Sequence, residues 1–496
     1  MEGQEISEVE IDKLDAIKFR LDSEYYKKEF LTIEKRIEEN EPKTLESING
    51  VLDCSAFYPS ITKYYNFNFE GVPFIRVNEI NNGFVNITNN TAFLPEEIIQ
   101  KNNKTICVGH PNDIVIAKGG NTLGKIGILP NNYKKYSLSR DVILLRTSNI
   151  KEHNRFFIWI FLHSKYGQDL LLRTASQTGQ PHLTLASLMQ VKIPTFNTGF
   201  EGIFEKLYFK ALSLQNESQR FYEEAKNILQ TELELDSIEH DDSSFNIKTF
   251  QSSFIETGRL DSEYYQHKYD QLTSKIMKKK YKKLKELVTI FKSVEPGSKA
   301  YQTEGIPFIR VSNVSIGGIK ESEIFLAESY VREAEAKVNS KKNIKKTVSL
   351  FPKAGTILLS KDGTVGIAYK VEEDLNIVTS SAILHLNVLD KKDILPDYLT
   401  LVLNSDLIKL QAERDAGGSI IQHWRIEEIE NLLVPIIDID KQLIISDLIK
   451  ESFMYKRLSE EVLDITKLTI ERAIETNDVI ATKFIEQFLM KKAISL

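Results

Sequence analysis

The sequence has very little cysteine. Cys54 and Cys107 are its only two among 496 residues, which is too few for a disulfide framework and gives no zinc-site spacing. Long apolar runs are also missing, since the longest, 156–162, is far shorter than the roughly 20 residues of a membrane helix. The first residues are acidic and polar, which argues against a secretory signal. We therefore expect a soluble protein in a reducing cytoplasm, without membrane contact.

An excess of positive charge is missing as well. The chain has 64 Lys and Arg against 70 Asp and Glu, a formal net charge of −6. Nucleic-acid binders usually present a basic face, so DNA binding would require local segregation of charge. Lysines do cluster at 278–285, although the simpler interpretation of such a run is solvated surface.

The sequence contains no recognisable catalytic or cofactor motif. The spacing from Gly119 to Lys125 resembles part of a phosphate-binding loop, but Ile126 stands where a Ser or Thr would hold magnesium. No His-Glu-x-x-His, dinucleotide fingerprint or Asn-Pro-Pro-aromatic stretch occurs. The recurring acids at 22 and 24, and at 261 and 263, are better explained as favourable charges at a helix start. We expect no catalytic residue, no metal and no cofactor of the chain's own.

The sequence contains an internal repeat, in which one large unit occurs twice. RLDSEYY occurs at 20–26 and at 259–265, and EGVPFIRV at 70–77 returns as EGIPFIRV at 304–311. A strand then leads to KGGNTLG at 118–124 or KDGTVG at 361–366, and GQPH at 179–182 corresponds to GSIIQH at 418–423. The separations run from 234 (Glu70 to Glu304) to 243 (Gly120 to Gly363) in constant order. Two copies this large indicate two sites of one kind rather than a solenoid.

Each copy begins with a β-rich part. Short β-branched runs between Gly, Asn and Pro turns predict strands at 74–77, 114–117 and 142–145, and at 308–311, 356–359, 366–369 and 382–388. Each copy then predicts an amphipathic helix, at 155–174 and at 396–414, followed by a strand that closes with Pro194 or Pro435.

A different pattern follows those prolines. Three- and four-residue apolar spacing predicts two long helices, 200–235 and 439–473, with polar Ser218 and Glu451 interrupting their seams. About 35 residues span roughly 50 Å. Connectivity favours antiparallel pairing, which would place one copy at each end of a strut. The alternative is that each stripe packs only on its own domain. The predicted fold class is α+β: two β-rich domains separated by a long antiparallel two-helix coiled coil, with pseudo-two-fold symmetry from duplication.

The ordered set of blocks resembles the specificity subunit of type I restriction–modification systems, over nearly the whole chain. The resemblance implies two target-recognition domains that each recognise half of a bipartite DNA site, with chemistry left to partners. Those partners would be two adenine-methyltransferase subunits using S-adenosylmethionine, which a translocating nuclease can join. Similar subunits serve systems that cut on both sides of their site and methylation-only defence, and the sequence does not separate these.

The resemblance also divides the chain. The expected segments are an N-terminal arm at 1–19, target-recognition domain 1 at 20–197, spacer helix 1 at 198–236, a linker at 237–258, target-recognition domain 2 at 259–437, spacer helix 2 at 438–475 and a C-terminal segment at 476–496.

Polar loops of the shared blocks supply the candidate DNA-binding residues, because glycine loops let backbone approach a duplex. They are Arg76, Asn78, Lys118, Asn121, Thr122, Gln180, His182, Arg310, Ser312, Asn313, Lys361, Asp362, Thr364, Gln422 and His423. The competing interpretation is that residues shared by both copies maintain the fold. Gly120, Gly124, Gly363 and Gly366 are predicted to form turns.

Two other functions remain open at this point. A bridging protein with two β-rich heads for protein or glycan ligands would fail to bind DNA even with a methyltransferase present. A fused enzyme with an unrecognised active site would transfer methyl groups or cleave DNA as a purified single chain.

Overall fold

The computed structural model of the chain describes residues 6–11, 14, 21–56, 60–175, 181–234, 245–341, 349–416 and 422–496. Two compact units are present. The first comprises Met1–Asn216 and Lys456–Leu496, and the second comprises Glu217–Tyr455.

Helices of very different lengths occur in the described residues. They are α1 Lys28–Glu38, α2 Glu96–Lys101, α3 Arg155–His163, α4 Lys165–Thr174, α5 Leu185–Met189, α6 Thr198–Leu233, α7 His267–Lys278, α8 Leu284–Leu287, α9 Glu328–Lys341, α10 Pro396–Leu403, α11 Asp406–Asp415, α12 Ile426–Glu430, α13 Ile439–Glu475 and α14 Asp478–Lys491. In this part of the chain no helix has the length and apolar character needed to cross a bilayer.

The strands of the first unit are short. They are β1 Lys43–Thr44, β2 Val51–Cys54, β3 Val72–Ile75, β4 Ile80–Asn81, β5 Gly83–Val85, β6 Phe93–Leu94, β7 Val108–Gly109, β8 Ile114–Ala117, β9 Ile126–Ile128, β10 Tyr136–Leu138, β11 Val142–Arg146 and β12 Lys192–Ile193. A 6-stranded sheet has the order β2-β11-β8-β9-β5-β4, and a 4-stranded sheet has the order β6-β3-β10-β7. All residues of β3 and β8 are buried, as continuous apolar runs require.

The second unit repeats this plan. Its strands are β13 Tyr281–Lys283, β14 Val288–Lys292, β15 Tyr301–Gln302, β16 Ile306–Ile309, β17 Val314–Ser315, β18 Gly318–Ile319, β19 Phe325–Leu326, β20 Ile357–Ser360, β21 Asp362–Gly363, β22 Ala368–Lys370, β23 Val378–Thr379, β24 Ile383–Val388, β25 Gln422–His423 and β26 Leu433–Pro435. The sheet β14-β24-β20-β22 corresponds to β2-β11-β8-β9, and β19-β16-β23 corresponds to β6-β3-β10. The pairs β3·β10 and β16·β23 are both parallel, so the duplication predicted from sequence is also a duplication of topology.

Each single helix predicted after the β-rich part is in fact two. α3 and α4 are separated by Ser164, whose backbone is extended and whose side chain accepts a hydrogen bond from the Gly167 backbone N–H. A Cβ at Gly167 would lie 2.1 Å from the Phe161 carbonyl oxygen, so only glycine lets α4 start this close to α3. In the second copy Asn404 and Ser405 separate α10 from α11, and the Ser405 backbone is extended although its side chain makes no cap hydrogen bond. Serine is a preferred residue at helix starts, and both breaks place one there.

The two long helices are confirmed, with 36 residues in α6 and 37 in α13. In the second unit the Ser452 hydroxyl donates to the Ser218 carbonyl at 2.7 Å, and Lys441 pairs with Glu232 at 3.3 Å. Positions along α6 therefore rise as their partners along α13 fall, which is antiparallel pairing. In the first unit the Ser459 hydroxyl donates to the Ala211 carbonyl at 2.7 Å.

The apolar spacing of α13 predicts a buried seam that begins at Ile444 and Leu448, and its first half is wrong. Ile444 is 48% exposed, whereas Ile445 and Ile449 are buried. Those two side chains join the main core cluster of the second unit, so here the helix also packs on its own domain. The interruption lies at buried Ser452 rather than at exposed Glu451.

The C-terminal segment, for which no element was predicted, contains α14. Asn477 begins this helix by accepting a hydrogen bond from the Ile480 backbone N–H at 2.9 Å. The Arg472 guanidinium of α13 lies 4.9 Å from the centre of the Phe484 ring. α14 therefore folds back on the end of α13 in the first unit.

Candidate nucleic-acid interface

Four polar segments of the first unit are held together by backbone hydrogen bonds. The Ser139 N–H donates to the Ile75 carbonyl at the end of β3, at 2.9 Å. The Lys118 N–H donates to the Asp141 carbonyl at 2.8 Å, and the Leu183 N–H donates to the Lys118 carbonyl at 2.8 Å. The end of β3, the turn at 139–141, the glycine loop and the histidine loop are thus neighbours. We call this set of bonded segments the loop frame.

The second unit contains the same loop frame. The Ser380 N–H donates to the Ile309 carbonyl, the Lys361 N–H to the Ala382 carbonyl and the Trp424 N–H to the Lys361 carbonyl, each at 2.8 Å. Every bond has its counterpart in the first unit. Because backbone groups make these bonds, the frame tolerates different side chains in the two copies.

The turn between β10 and β11 was missed from sequence, although it connects the blocks. It reads Ser139-Arg140-Asp141 in the first unit and Ser380-Ser381-Ala382 in the second. The only shared residue is the first serine, so the signal was too weak to stand out beside the longer repeated blocks. Arg140 is exposed in this turn.

The glycines of the loops are turn formers, as predicted. Gly120, Gly124, Gly363 and Gly366 have φ values of 65°, 78°, 74° and 83°, in the left-handed region that favours glycine. The loop at 118–124 leads into β9 and not into a helix. A phosphate-binding loop must open a helix, so the geometry excludes that interpretation.

Arg76 is held inside its own unit. Its guanidinium donates to the Glu79 carboxylate at 2.8 Å and to the Asn90 carbonyl at 2.9 Å. The same carboxylate accepts the Arg76 backbone N–H at 2.9 Å. The hydrogen bond to Glu79 is the main cause that raises the pKa of Arg76 above its usual value. Since Glu79 is only 5% exposed, Arg76 neutralises a buried charge.

Arg310, the counterpart in the second unit, is arranged differently. Asn313 replaces the glutamate, and its side-chain oxygen accepts the Arg310 backbone N–H at 3.1 Å. The Asn313 amide group donates to the Glu321 carbonyl at 3.0 Å. The exposed Arg310 guanidinium forms no ion pair or hydrogen bond within the described residues. The same backbone turn therefore leaves this cation available.

The glycine-loop lysines show the opposite difference. Lys361 is 13% exposed and pairs with Asp362, whose other oxygen lies 2.9 Å from Nδ1 of His423. The first unit has Gly119 in place of the aspartate, with His182 directly above it, since a Cβ at Gly119 would lie 2.1 Å from the His182 Nδ1. The half-buried Lys118 has no side-chain partner among the residues that the structure describes.

The remaining candidates fall into two groups. Asn78, Asn121, Ser312 and Gln422 are exposed on the loops. Thr122 donates to the Gly119 carbonyl at 3.1 Å, and the Thr364 carbonyl accepts the Ser360 hydroxyl at 2.6 Å, so these two hold the turns. Gln180 lies outside the described residues.

Other features suggested by the sequence have structural explanations. Glu24 and Glu263 lie in the first turns of short 3-10 helices, Ser23–Tyr26 and Ser262–Tyr265, as a helix-start role requires. In the described ranges no group of His, Cys, Asp and Glu could hold a metal ion.

Part of the chain matches a known protein family. Residues 37–195 match the model of the family described as type I restriction modification DNA specificity domain. No curated protein matches the chain significantly. Among solved structures, the S subunit of a type I restriction-modification system from M. genitalium is 14% identical, with 89% of this chain and 94% of that chain covered and a TM-score of 0.36. The HsdS subunit from Thermoanaerobacter tengcongensis is 12% identical, with 86% and 97% covered and a TM-score of 0.26.

The matched residues cover β1 to β12 and hold the whole described loop frame of the first unit. The second unit repeats the frame bond for bond. Residues 37–195 are thus similar to the DNA specificity domain of type I restriction–modification systems.

Proposed function

We propose that the chain recognises a bipartite DNA target, with one half-site for each unit. The observation that carries this proposal is the loop frame, which is present in both units with matching backbone bonds. A duplicated scaffold with different side chains suits two different half-sites. Side chains that reach base edges would select the sequence, and phosphate contacts would fix the register.

Within each frame, exposed and half-buried polar side chains are proposed to contact DNA. In the first unit these are Asn78, Lys118, Asn121 and His182, and in the second Arg310, Ser312, Gln422 and His423. Thr122 and Asn313 are assigned to turn structure because their side chains bond to backbone, and Thr364 because its carbonyl accepts the Ser360 hydroxyl. Gln180 remains a candidate on its sequence position alone.

Partner subunits would supply the chemistry. We propose two adenine-methyltransferase subunits with S-adenosylmethionine, docked on the long helices, and a nuclease in systems that restrict. The segments 20–197 and 259–437 would be the target-recognition domains, and 198–236 and 438–475 the spacer that sets the unrecognised DNA between half-sites. Two weak readers joined by a spacer gain affinity only if the spacer fits the target.

Single-molecule methylome sequencing of cells with and without the gene tests this function. The expected result is an interrupted adenine-methylation motif that disappears with the gene. Methyl transfer or cleavage by the purified chain alone would instead indicate a fused enzyme. Failure of the chain to bind DNA together with its methyltransferase would favour a bridging protein.

A further inference from the structure

We propose that the two units contact DNA with different cations of the same loop frame: Lys118 in the first unit and Arg310 in the second. The inference rests on the proposed function and assigns which shared positions do the binding. Each frame carries an arginine after the first strand and a lysine in the glycine loop. In each frame one of the two is neutralised, but it is not the same one.

One acidic side chain decides the choice in each unit. In the first unit Glu79 binds Arg76 at 2.8 Å, and the lysine has Gly119 beside it, where no carboxylate is present. In the second unit Asp362 binds Lys361, and the arginine has Asn313 in the place of the glutamate. The first unit has Glu79 and Gly119 at the positions where the second unit has Asn313 and Asp362. Because of these two differences, the lysine is available in the first unit and the arginine is available in the second.

Availability matters because a paired cation adds no net charge to the surface. To contact DNA, Arg76 would have to leave a carboxylate that is 5% exposed, and burying an unpaired charge is costly. Lys361 is itself only 13% exposed. Lys118 and Arg310 have no such partner to lose within the described residues, so a phosphate or a base-edge acceptor can bind them without disrupting the fold.

The histidine loops of the two units differ in a related way, because the second histidine contacts an acidic side chain and the first lies over a glycine. His423 lies 2.9 Å from the Asp362 carboxylate, so in the second unit histidine and lysine share one acid. In the first unit His182 lies above Gly119, next to the backbone that presents Lys118. An aspartate at 119 would displace His182, so this loop has no space for the neutralising acid while the histidine stays in place.

The test measures duplex binding by the full chain with its methyltransferase partner, at several salt concentrations. Lys118→Gln and Arg310→Gln should each weaken binding about five- to tenfold near 0.1 M salt and reduce the log–log salt slope by ~0.9, as expected for one phosphate contact. Equal losses on target and unrelated duplexes assign the contact to phosphate, and a loss confined to the target assigns it to a base edge. Wild-type affinity in both variants would overturn the proposal.

A matched control removes the neutral pair of the first unit. Arg76→Gln with Glu79→Gln leaves the net charge unchanged and should alter binding less than about twofold. If this pair matters as much as Lys118 or Arg310, the assignment is wrong.

A gain-of-partner variant tests the same point without deleting a cation. Asn313→Glu should capture Arg310, as Glu79 captures Arg76, and reproduce the loss seen in Arg310→Gln. Combining both substitutions should add little, because they remove one contact. Additive losses would contradict the capture. If the wild-type complex binds no duplex in a salt-dependent way, the proposed function itself fails, which is a different outcome from wild-type-like variants.

Discussion

Replacing Arg76 with alanine should destabilise the first unit, although Arg76 lies in a polar loop. The Glu79 carboxylate receives guanidinium hydrogen bonds at 2.8 Å and 3.4 Å and is 5% exposed. Removing one member of a buried ion pair costs about 3–5 kcal/mol, because the other charge stays buried. Two features lower this value here. The Arg76 side chain is 32% exposed, and the Arg76 backbone N–H still binds the carboxylate. We expect a loss of about 2–3 kcal/mol.

The chain offers a direct assay for this loss. It has two tryptophans, and they are buried in different units, Trp159 in the first and Trp424 in the second. Trp159 donates to the Gly83 carbonyl at 2.7 Å, so it reports on the sheet of the first unit. In a Trp424→Phe background, urea titration followed by Trp159 fluorescence measures the free energy of unfolding of that unit.

Arg310→Ala is the matched control, because its guanidinium has no partner in the described part of the chain. We expect a change within ~0.5 kcal/mol, as for an ordinary surface position. Two results would refute the reasoning. One is an Arg76→Ala loss below about 0.5 kcal/mol, which would mean that the buried carboxylate does not need the arginine. The other is an equal loss in both variants, which would mean that the two loops are not differently paired.

Three further predictions concern the spacer, the half-sites and pH. Inserting four residues after Glu217 adds about 6 Å of helix, which should lengthen the unrecognised DNA by one or two base pairs at ~3.4 Å per step; an unchanged methylation motif would contradict the ruler. Exchanging residues 27–190 for another domain of this type should change one half of that motif, and a change in both halves would show that the units do not act independently. Burial lowers the pKa of His163 and of His385 to about 4, with Lys467 as a smaller cause at His163. The folded state therefore binds fewer protons than the unfolded state below pH 6.5. Each histidine should remove ~2 kcal/mol of stability between pH 6.5 and 5. Acid titration of His385→Gln, followed through Trp424, should lose that part of the slope, and an unchanged slope would exclude His385 as its source.

Local sequence rules found the elements whose patterns are complete within one segment. β8 was predicted residue for residue at Ile114–Ala117, because a short β-branched run between turn residues has few alternatives. The long helices were also found nearly to their ends. The parallel pairing of β3 with β10 was out of reach, since β10 has only three residues and its partner lies about 60 positions earlier in the sequence. Ser164 and Ser405 were missed as helix breaks because an apolar stripe continues past both.

The candidate site was predicted at the level of its segments and not of its side chains. The repeat identified three of the four segments of the loop frame, but identity between copies concealed their difference. Arg76 and Arg310 occupy equivalent positions in the repeated segment. The residue three positions later, Glu79 or Asn313, determines whether the guanidinium forms an ion pair. Whether the ion pair forms depends on the burial of Glu79 and on its contact with Arg76, and amino-acid composition reveals neither of these.

The proposed contacts are compatible with a chain of net charge −6. The lysine-rich stretch at 278–285 is the most basic segment by composition, yet much of it is occupied. Lys279 pairs with Glu234 at 2.6 Å, Lys282 pairs with Asp393, and Lys283 and Lys285 both donate to the Asn431 side-chain oxygen at 3.2 Å. Lys118 and Arg310, in contrast, have no side-chain partner of this kind in the described residues. The attraction of a DNA phosphate to the proposed site therefore depends on the number of unpaired cations on the loop frame. The net charge of the whole chain does not give that number.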